Sequence, residues 1–129
     1  MIIDTSAIIA ILNDEPERRA FNEIIERSDP CLLSAASFVE ASIVIENSRG
    51  YDGLRDFDLF MTAAAIELVP VDAEQAHIAR EAFRRYGKGR HPAALNFGDC
   101  FSYALAIATG FPLLFKGTDF AKTDILPAL

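Results

Sequence analysis

Four carboxylates stand in apolar or tightly turned settings, where an unpaired charge is costly. Asp4 follows directly on Ile2-Ile3. Glu40 lies between Phe38-Val39 and Ala41, and Asp99 is set in Leu95-Asn96-Phe97-Gly98-Asp99-Cys100-Phe101. Asp119 lies between Gly117-Thr118 and Phe120. Each has a structural explanation of its own. Asp4 suits a turn or the cap of the next helix, and Glu40 a solvated position or an arginine's partner. Asp99 suits the first turn of a helix, and Asp119 a turn. Brought together, four carboxylates repel one another and stay ionised mainly when a divalent cation sits among them. An all-oxygen donor set favours Mg²⁺, with Mn²⁺ as a substitute, over zinc. The two histidines, His77 and His91, are not spaced as a zinc pair. Carboxylate-held Mg²⁺ activates water and neutralises a phosphoryl group. The chemistry indicated is phosphodiester hydrolysis, with other Mg²⁺-dependent phosphoryl chemistry as the wider class.

The elements that must position these groups follow from hydropathy patterning. Ile2-Ile3, Cys31-Leu32-Leu33, the run from Ile66 to Val71 and Pro112 to Phe115 read as four strands, with Ile125-Leu126 as a short extra edge strand. Between them the spacing predicts helices. One is capped by Ser6 and runs through Leu12; the next has Pro16 in its first turn. A third is capped by Ser34 and stopped by Gly50, and a fourth spans Tyr51 to Ala65. Asp72 caps a fifth, and the last runs from Asp99 to Thr109 with Gly110 as its stop. Residues 86–98 read as a loop. Short apolar strands alternating with helices imply an α/β fold with an open parallel sheet covered on both faces. Ligands in such folds bind beyond the carboxyl ends of the strands, so Asp4 and Asp119 are expected at one sheet edge.

At 129 residues the chain is expected to form one domain, 1–129, with 51% hydrophobic and 24% charged residues in globular proportion. Its net charge of −7 argues against holding nucleic acid by bulk positive charge alone. Cys31 and Cys100 sit in apolar runs and read as buried free thiols. No run is long enough to cross a membrane, and the start lacks the basic and apolar regions of a signal peptide. A cytoplasmic location is the expectation.

Met1-Ile2-Ile3-Asp4-Thr5-Ser6-Ala7-Ile8 resembles the opening of PIN-domain proteins, and Ser37-Phe38-Val39-Glu40 their second acidic motif. The segment from Leu95 to Ala106 is similar to the third motif of the VapC toxins, and Leu113 to Phe120 resembles the fourth. The resemblance covers essentially the whole chain. It implies a three-layer α/β/α PIN-like fold around a central parallel sheet of four to five strands. It implies a Mg²⁺-dependent ribonuclease, the toxin of a type II toxin–antitoxin pair, that cuts structured RNA such as transfer or ribosomal RNA. Carried over by motif, Asp4, Glu40, Asp99 and Asp119 form the acidic site. Asp4 and Asp99 are its principal metal ligands, with Thr5, Ser6 and Asn96 in support. The chain departs from the fourth motif: many relatives have an aspartate where Gly117 stands, and the nearest carboxylate here is Asp119, with Asp124 a more remote substitute.

The scheme is in-line attack on an RNA phosphate by metal-activated water, which Glu40 orients or deprotonates, leaving 5′-phosphate and 3′-hydroxyl ends. Arg84, Arg85, Lys88, Arg90 and His91 form a basic run before the Asp99 motif, with Lys116 and Lys122 near the other edge. These read as RNA contacts or as a solvated loop. Phe57, Leu59, Phe60 and Met61 exceed what one helix face needs, which points to a homodimer or to core. The second to fourth helices offer a groove for the amphipathic tail of a VapB-type antitoxin, whose arginine would enter the acidic site. The competing class is a non-catalytic PIN-like binding or scaffold module. A phosphatase of the haloacid type is disfavoured because Asp4-Thr5-Ser6 lacks its Asp-x-Asp.

Overall fold

The computed structural model describes residues 1–129. Four strands, β1 (Ile2–Ile3), β2 (Cys31–Ser34), β3 (Ile66–Val69) and β4 (Leu113–Leu114), form one parallel sheet in the order β3-β2-β1-β4. The strands are short, and their apolar residues divide between the two faces as the pleat dictates. Ile3, Leu33 and Leu114 enter a core shared with α1 (Thr5–Leu12), α2 (Arg18–Glu26) and α3 (Ala35–Ala63). Ile2, Leu32 and Leu113 enter a second core beneath α4 (Ala73–Tyr86) and α5 (Phe97–Thr109). Every strand carries apolar side chains both ways, and the result is the expected α/β/α sandwich with helices on both faces of a parallel sheet. No helix is long and apolar enough to cross a membrane.

The order 3-2-1-4 has a consequence for function. From β1 the chain winds outward through β2 and β3, then returns to place β4 on the other side of β1. The winding reverses between β1 and β4, and the crevice beyond their carboxyl ends is where ligands bind in such sheets. Asp4 leaves β1 into this crevice, and the turn carrying Asp119 follows β4.

Several boundaries differ from the sequence expectation. The first helix is capped by Asp4, not Ser6: Asp4 is extended (φ −84°, ψ 155°) and its carboxylate accepts from the Ser6 N–H. The second starts at Arg18, leaving Pro16 in the preceding turn. By contrast, the stop expected at Gly50 is present: its backbone is non-helical (φ 64°, ψ −155°), and α3 is two helices meeting end to end there. The last helix begins at Phe97 because Asn96, not Asp99, is its cap. Ile125-Leu126 forms no strand; a single parallel bridge joins Pro127 to Leu113. Ser34, Asp72 and Gly110 cap as expected, and both cysteines are buried and free.

The apolar excess in the second half of α3 is largely core. Phe57 is fully buried with its ring 5.3 Å from that of Phe38, and Phe60 and Met61 pack on the same cluster. Only Leu59 of the four faces solvent, 61% exposed. The Phe38–Phe57 contact also fixes the turn of α3 that carries Glu40. Phe57→Ala is therefore expected to cost about 3–5 kcal/mol, against less than about 0.5 kcal/mol for Leu59→Ala. Urea unfolding of the two variants beside the parent checks the contrast, and equal losses would place Leu59 in an interface.

Candidate active site

Asp4 is the most enclosed of the four carboxylates, 3% exposed, and both its oxygens are hydrogen-bonded. Oδ2 accepts from the Ser6 N–H at 2.9 Å and from the Ser6 hydroxyl at 2.6 Å. Oδ1 accepts from the Ser102 hydroxyl at 2.5 Å. Ser102 is fully buried on α5 and lies 3.2 Å from the Ser37 hydroxyl on α3. The Ser6 hydroxyl in turn accepts from the Lys116 N–H just past β4 at 3.0 Å. One carboxylate is thus held by groups from α1 and α5 and linked through them to α3 and the β4 turn. Ser6 supplies the support expected of Thr5 or Ser6. Thr5 instead donates to the Ser37 carbonyl at 3.3 Å.

Asp99 is fixed by the first turn of α5. Its backbone N–H donates to the Asn96 side chain at 2.9 Å, and its Oδ2 accepts from the Asn96 N–H at 3.0 Å, a reciprocal capping box. Asn96 therefore orients Asp99 through the backbone at both ends. Burial pushes the Asp99 carboxyl up to about 6, and the negative charges of Asp4, Glu40 and Asp119 push the same way against the Asn96 N–H. Asp4, Glu40 and Asp119 are therefore all within electrostatic reach of Asp99. Burial, with Asp99 beside it, likewise raises the Cys100 thiol to about 11, so Cys100 is an inert neighbour.

Glu40 makes no hydrogen bond or ion pair; its carboxylate lies against the backbone of Gly98. A β-carbon placed on Gly98 would fall 1.8 Å from Glu40 Oε2. Glycine is required there by the carboxylate, not by backbone conformation. Asp119 is exposed at the start of a 3₁₀ turn over Phe120–Lys122 and caps nothing. Gly117 has φ 101°, a conformation that strains any side-chain-bearing residue, and the nearest carboxylate in this turn is Asp119. Asp124 is engaged elsewhere, accepting from the Tyr103 hydroxyl at 2.6 Å.

No lysine or arginine pairs with Asp4, Glu40, Asp99 or Asp119; the ion pairs all lie outside this cluster. The donor set fits a hard divalent cation: four carboxylates, oxygen donors only, and uncompensated charge. As the side chains stand, no three of them surround a single point as a protein-only cage.

The cations expected to meet RNA are dispersed. Arg84, Arg85, Lys88 and Arg90 are all exposed at the end of α4 and in the following loop. Arg85 donates to the Tyr86 hydroxyl at 2.9 Å and lies 3.8 Å from Asp124. The Arg90 guanidinium lies over the Phe83 ring. The His91 ring accepts from the Ala93 N–H, and Lys122 reaches the Pro92 carbonyl. Lys116 is paired with Glu15 at 2.8 Å and Glu17 at 3.3 Å, so its charge is already balanced. Arg84, Lys88 and Arg90 are the members of the run with no acidic partner.

Comparison with known proteins agrees with this geometry. Residues 1–126 match the PIN domain family. The chain is 54% identical over 125 residues to VapC ribonuclease Mb0640 of Mycobacterium bovis, covering 97% of this chain and 95% of that protein. It is 53% identical to the ribonuclease VapC of Mycolicibacterium smegmatis, with 97% of each covered. Among solved structures the fold is shared with Mycobacterium tuberculosis VapC20, described as a Sarcin-Ricin loop cleaving toxin. There the TM-score is 0.78 at 16% identity, with 97% of this chain and 95% of that one covered. It is shared too with VapBC2 from Rickettsia felis bound to a promoter DNA fragment, with a TM-score of 0.76 at 16% identity, covering 98% and 94%.

The strain on Asp99 has a sign that can be measured. A carboxyl raised from 3.8 to about 6 binds its proton more tightly in the folded chain. Its ionisation therefore destabilises the fold, not at all below about pH 4 and fully above about pH 6. In EDTA, Asp99→Asn keeps an acceptor for the Asn96 N–H and removes the charge. It is expected to be more stable than the parent at pH 7.5 by on the order of 1 kcal/mol, the unscreened value being reduced by partial exposure. The advantage should fade towards pH 4. Urea midpoints over that range decide it, and a parent at least as stable as the variant at pH 7.5 would overturn the assignment.

Proposed function

The chain belongs to the PIN-domain family, and on that premise we propose that it is an endoribonuclease, the toxin of a type II toxin–antitoxin pair. It hydrolyses phosphodiester bonds in structured RNA, of the transfer or ribosomal class, with Mg²⁺ or Mn²⁺ as cofactor. The observation that carries this reading is the convergence of four carboxylates at the β1–β4 crevice with no cation paired to any of them. A fold that leaves such repulsion unrelieved is poised for an external positive charge.

Asp4 and Asp99 are assigned as the metal ligands. Their carboxylates are oriented before any ion arrives, Asp4 by Ser6 and Ser102 and Asp99 by the capping box. When bound, Mg²⁺ supplies neutralising charge at the phosphate and lowers the pKa of water there. Glu40, whose oxygens are free of hydrogen bonds, orients the attacking water and takes its proton. Asp119, exposed and unbonded, completes the charge of the site. Attack in line with the 3′ oxygen leaves a 5′-phosphate and a 3′-hydroxyl. Arg84, Lys88 and Arg90 neutralise flanking phosphates locally, despite the net charge of −7.

The partner assigned is a VapB-type antitoxin. Val39, Ile43 and Val44 are 54%, 55% and 42% exposed on α3 and flank Glu40. Their spacing presents an apolar stripe to an amphipathic helix, and an arginine following that helix would meet the unpaired carboxylates. A homodimer in the cytoplasm completes the reading.

Purified, antitoxin-free protein should cut a panel of total RNA and transfer RNA at discrete sites with Mg²⁺, and not in EDTA. Asp99→Asn and Glu40→Gln, each verified as folded, should lower the rate by about 10²-fold or more. Gly98→Ala, which displaces the Glu40 carboxylate, should lose activity to an extent comparable with Glu40→Gln. Silence from the folded parent across the panel would favour a non-catalytic binding module.

A further inference from the structure

Between α4 and the start of α5 lies a groove of ≈ 430 Å³ lined almost entirely by apolar side chains, a volume in the range of small-molecule sites. Three phenylalanines form its working surface. Phe97 is 79% exposed at the first position of α5, and Phe83 is 37% exposed on α4. Phe101 meets the Phe97 ring edge-on at 4.9 Å. Arg80 is the only charged residue of the lining, and the Arg90 guanidinium lies 5.6 Å over the Phe83 ring. A phenylalanine so exposed at a helix start contributes little to the fold and presents a flat face to solvent.

We propose that this groove is a nucleobase subsite, with Phe97 as the platform on which one unpaired base of the RNA stacks while its phosphate lies towards the acidic cluster. The inference rests on the ribonuclease reading and names how the substrate is gripped. Continuity carries it first: Phe97 begins α5 directly before Gly98, against whose backbone the Glu40 carboxylate lies. Charge complementarity carries it second. The lining holds an arginine and no carboxylate, which suits a ligand that carries a negative charge beside an apolar ring. A nucleotide brings an aromatic ring and a phosphate together. Base–aromatic stacking tolerates any base, and arginine adds to it through its planar cation.

The chain contains no tryptophan, so Phe97→Trp creates a sole fluorophore at the platform. In the Phe97→Trp/Asp99→Asn double variant with Mg²⁺, short single-stranded RNA should quench this fluorescence. An abasic oligomer of equal length, with the same phosphates, should not. In cleavage assays Phe97→Ala should raise KM about 5- to 100-fold with kcat changed less than about twofold, and Phe97→Tyr should restore KM. Equal responses to the two oligomers, or no response to either, overturn the proposal. So does a Phe97→Ala variant whose sedimentation shows loss of a dimer present in the parent, which assigns the groove to a subunit interface. If the parent cuts no RNA, the ribonuclease reading falls, and the fluorescence comparison still decides whether the groove takes a base.

Discussion

The structure is organised around one buried carboxylate. Asp4 is a charge placed at the end of the central strand, beneath the first turn of α1 and against the side of α5. Burying a charge there is costly unless each lone pair is met. Three donors meet it, and charge-assisted hydrogen bonds of this kind are short and strong. They come from segments nearly a hundred residues apart, Ser6 and Ser102. The need to satisfy Asp4 therefore fixes how α5 docks on the sheet and, through Ser37, how α3 does. It also fixes the direction in which the acidic cluster faces. The serine contact adds a polar constraint on α5 to the apolar packing of Cys100, Tyr103, Ala104, Leu105 and Ala106.

This dissolves an opposition that the sequence presents. For Asp4 and Asp99 the capping explanation and the functional one compete when only residue types are known. In the structure Asp4 caps α1 and Asp99 closes the capping box of α5, and those bonds are what aim them. Asp99 commits Oδ2 to the Asn96 N–H, while its other oxygen accepts no bond. A freely rotating aspartate would lose side-chain entropy on binding an ion; a cap has already lost it in folding. Glu40 and Asp119 show the contrast: neither caps anything, and neither is anchored at its carboxylate. The proposed division of labour follows from that difference. Anchored acids suit ligands, and unanchored ones suit proton transfer and charge balance.

The layer architecture was legible because every strand is a short apolar run flanked by amphipathic segments. The sheet edge was legible because Asp4 follows such a run directly. Helix starts were harder to read. Asn96 and Asp99 carry each other's signals, and a reciprocal box reads equally as a helix beginning at either residue until the backbone is seen. Ser102 escaped notice altogether. Within the apolar stretch of α5 a serine reads as a tolerated small residue, and only the contact across ninety-eight positions reveals it as Asp4's donor. Its one available signal was a hydroxyl on the buried face, a group that must find a partner. Lys116 misled in the opposite sense. In sequence it is a cation near the site, but Glu15 and Glu17, a hundred residues away, already neutralise it.

The placement of the remaining charges completes the logic. Arginines and lysines form pairs at the periphery, and the loop after α4 keeps others unpaired. None enters the crevice, although Lys116 lies at its margin. Lys116 donates its backbone N–H to Ser6, so its chain is anchored within one residue of contact with the Asp4 network, yet Glu15 and Glu17 draw its ammonium away. Had the ammonium turned inward, it would have satisfied the cluster permanently and stabilised the fold. The Asp99 carboxyl is raised by burial first and then by the charges of Asp4, Glu40 and Asp119, and leaving those charges without a cation keeps the crevice receptive. On the proposed function, the metal that accompanies substrate and the arginine of an antitoxin seek the same uncompensated charge. Each relieves part of the repulsion that attracts the other, so binding of either weakens binding of the other on electrostatic grounds before any steric contact between partner and RNA is considered.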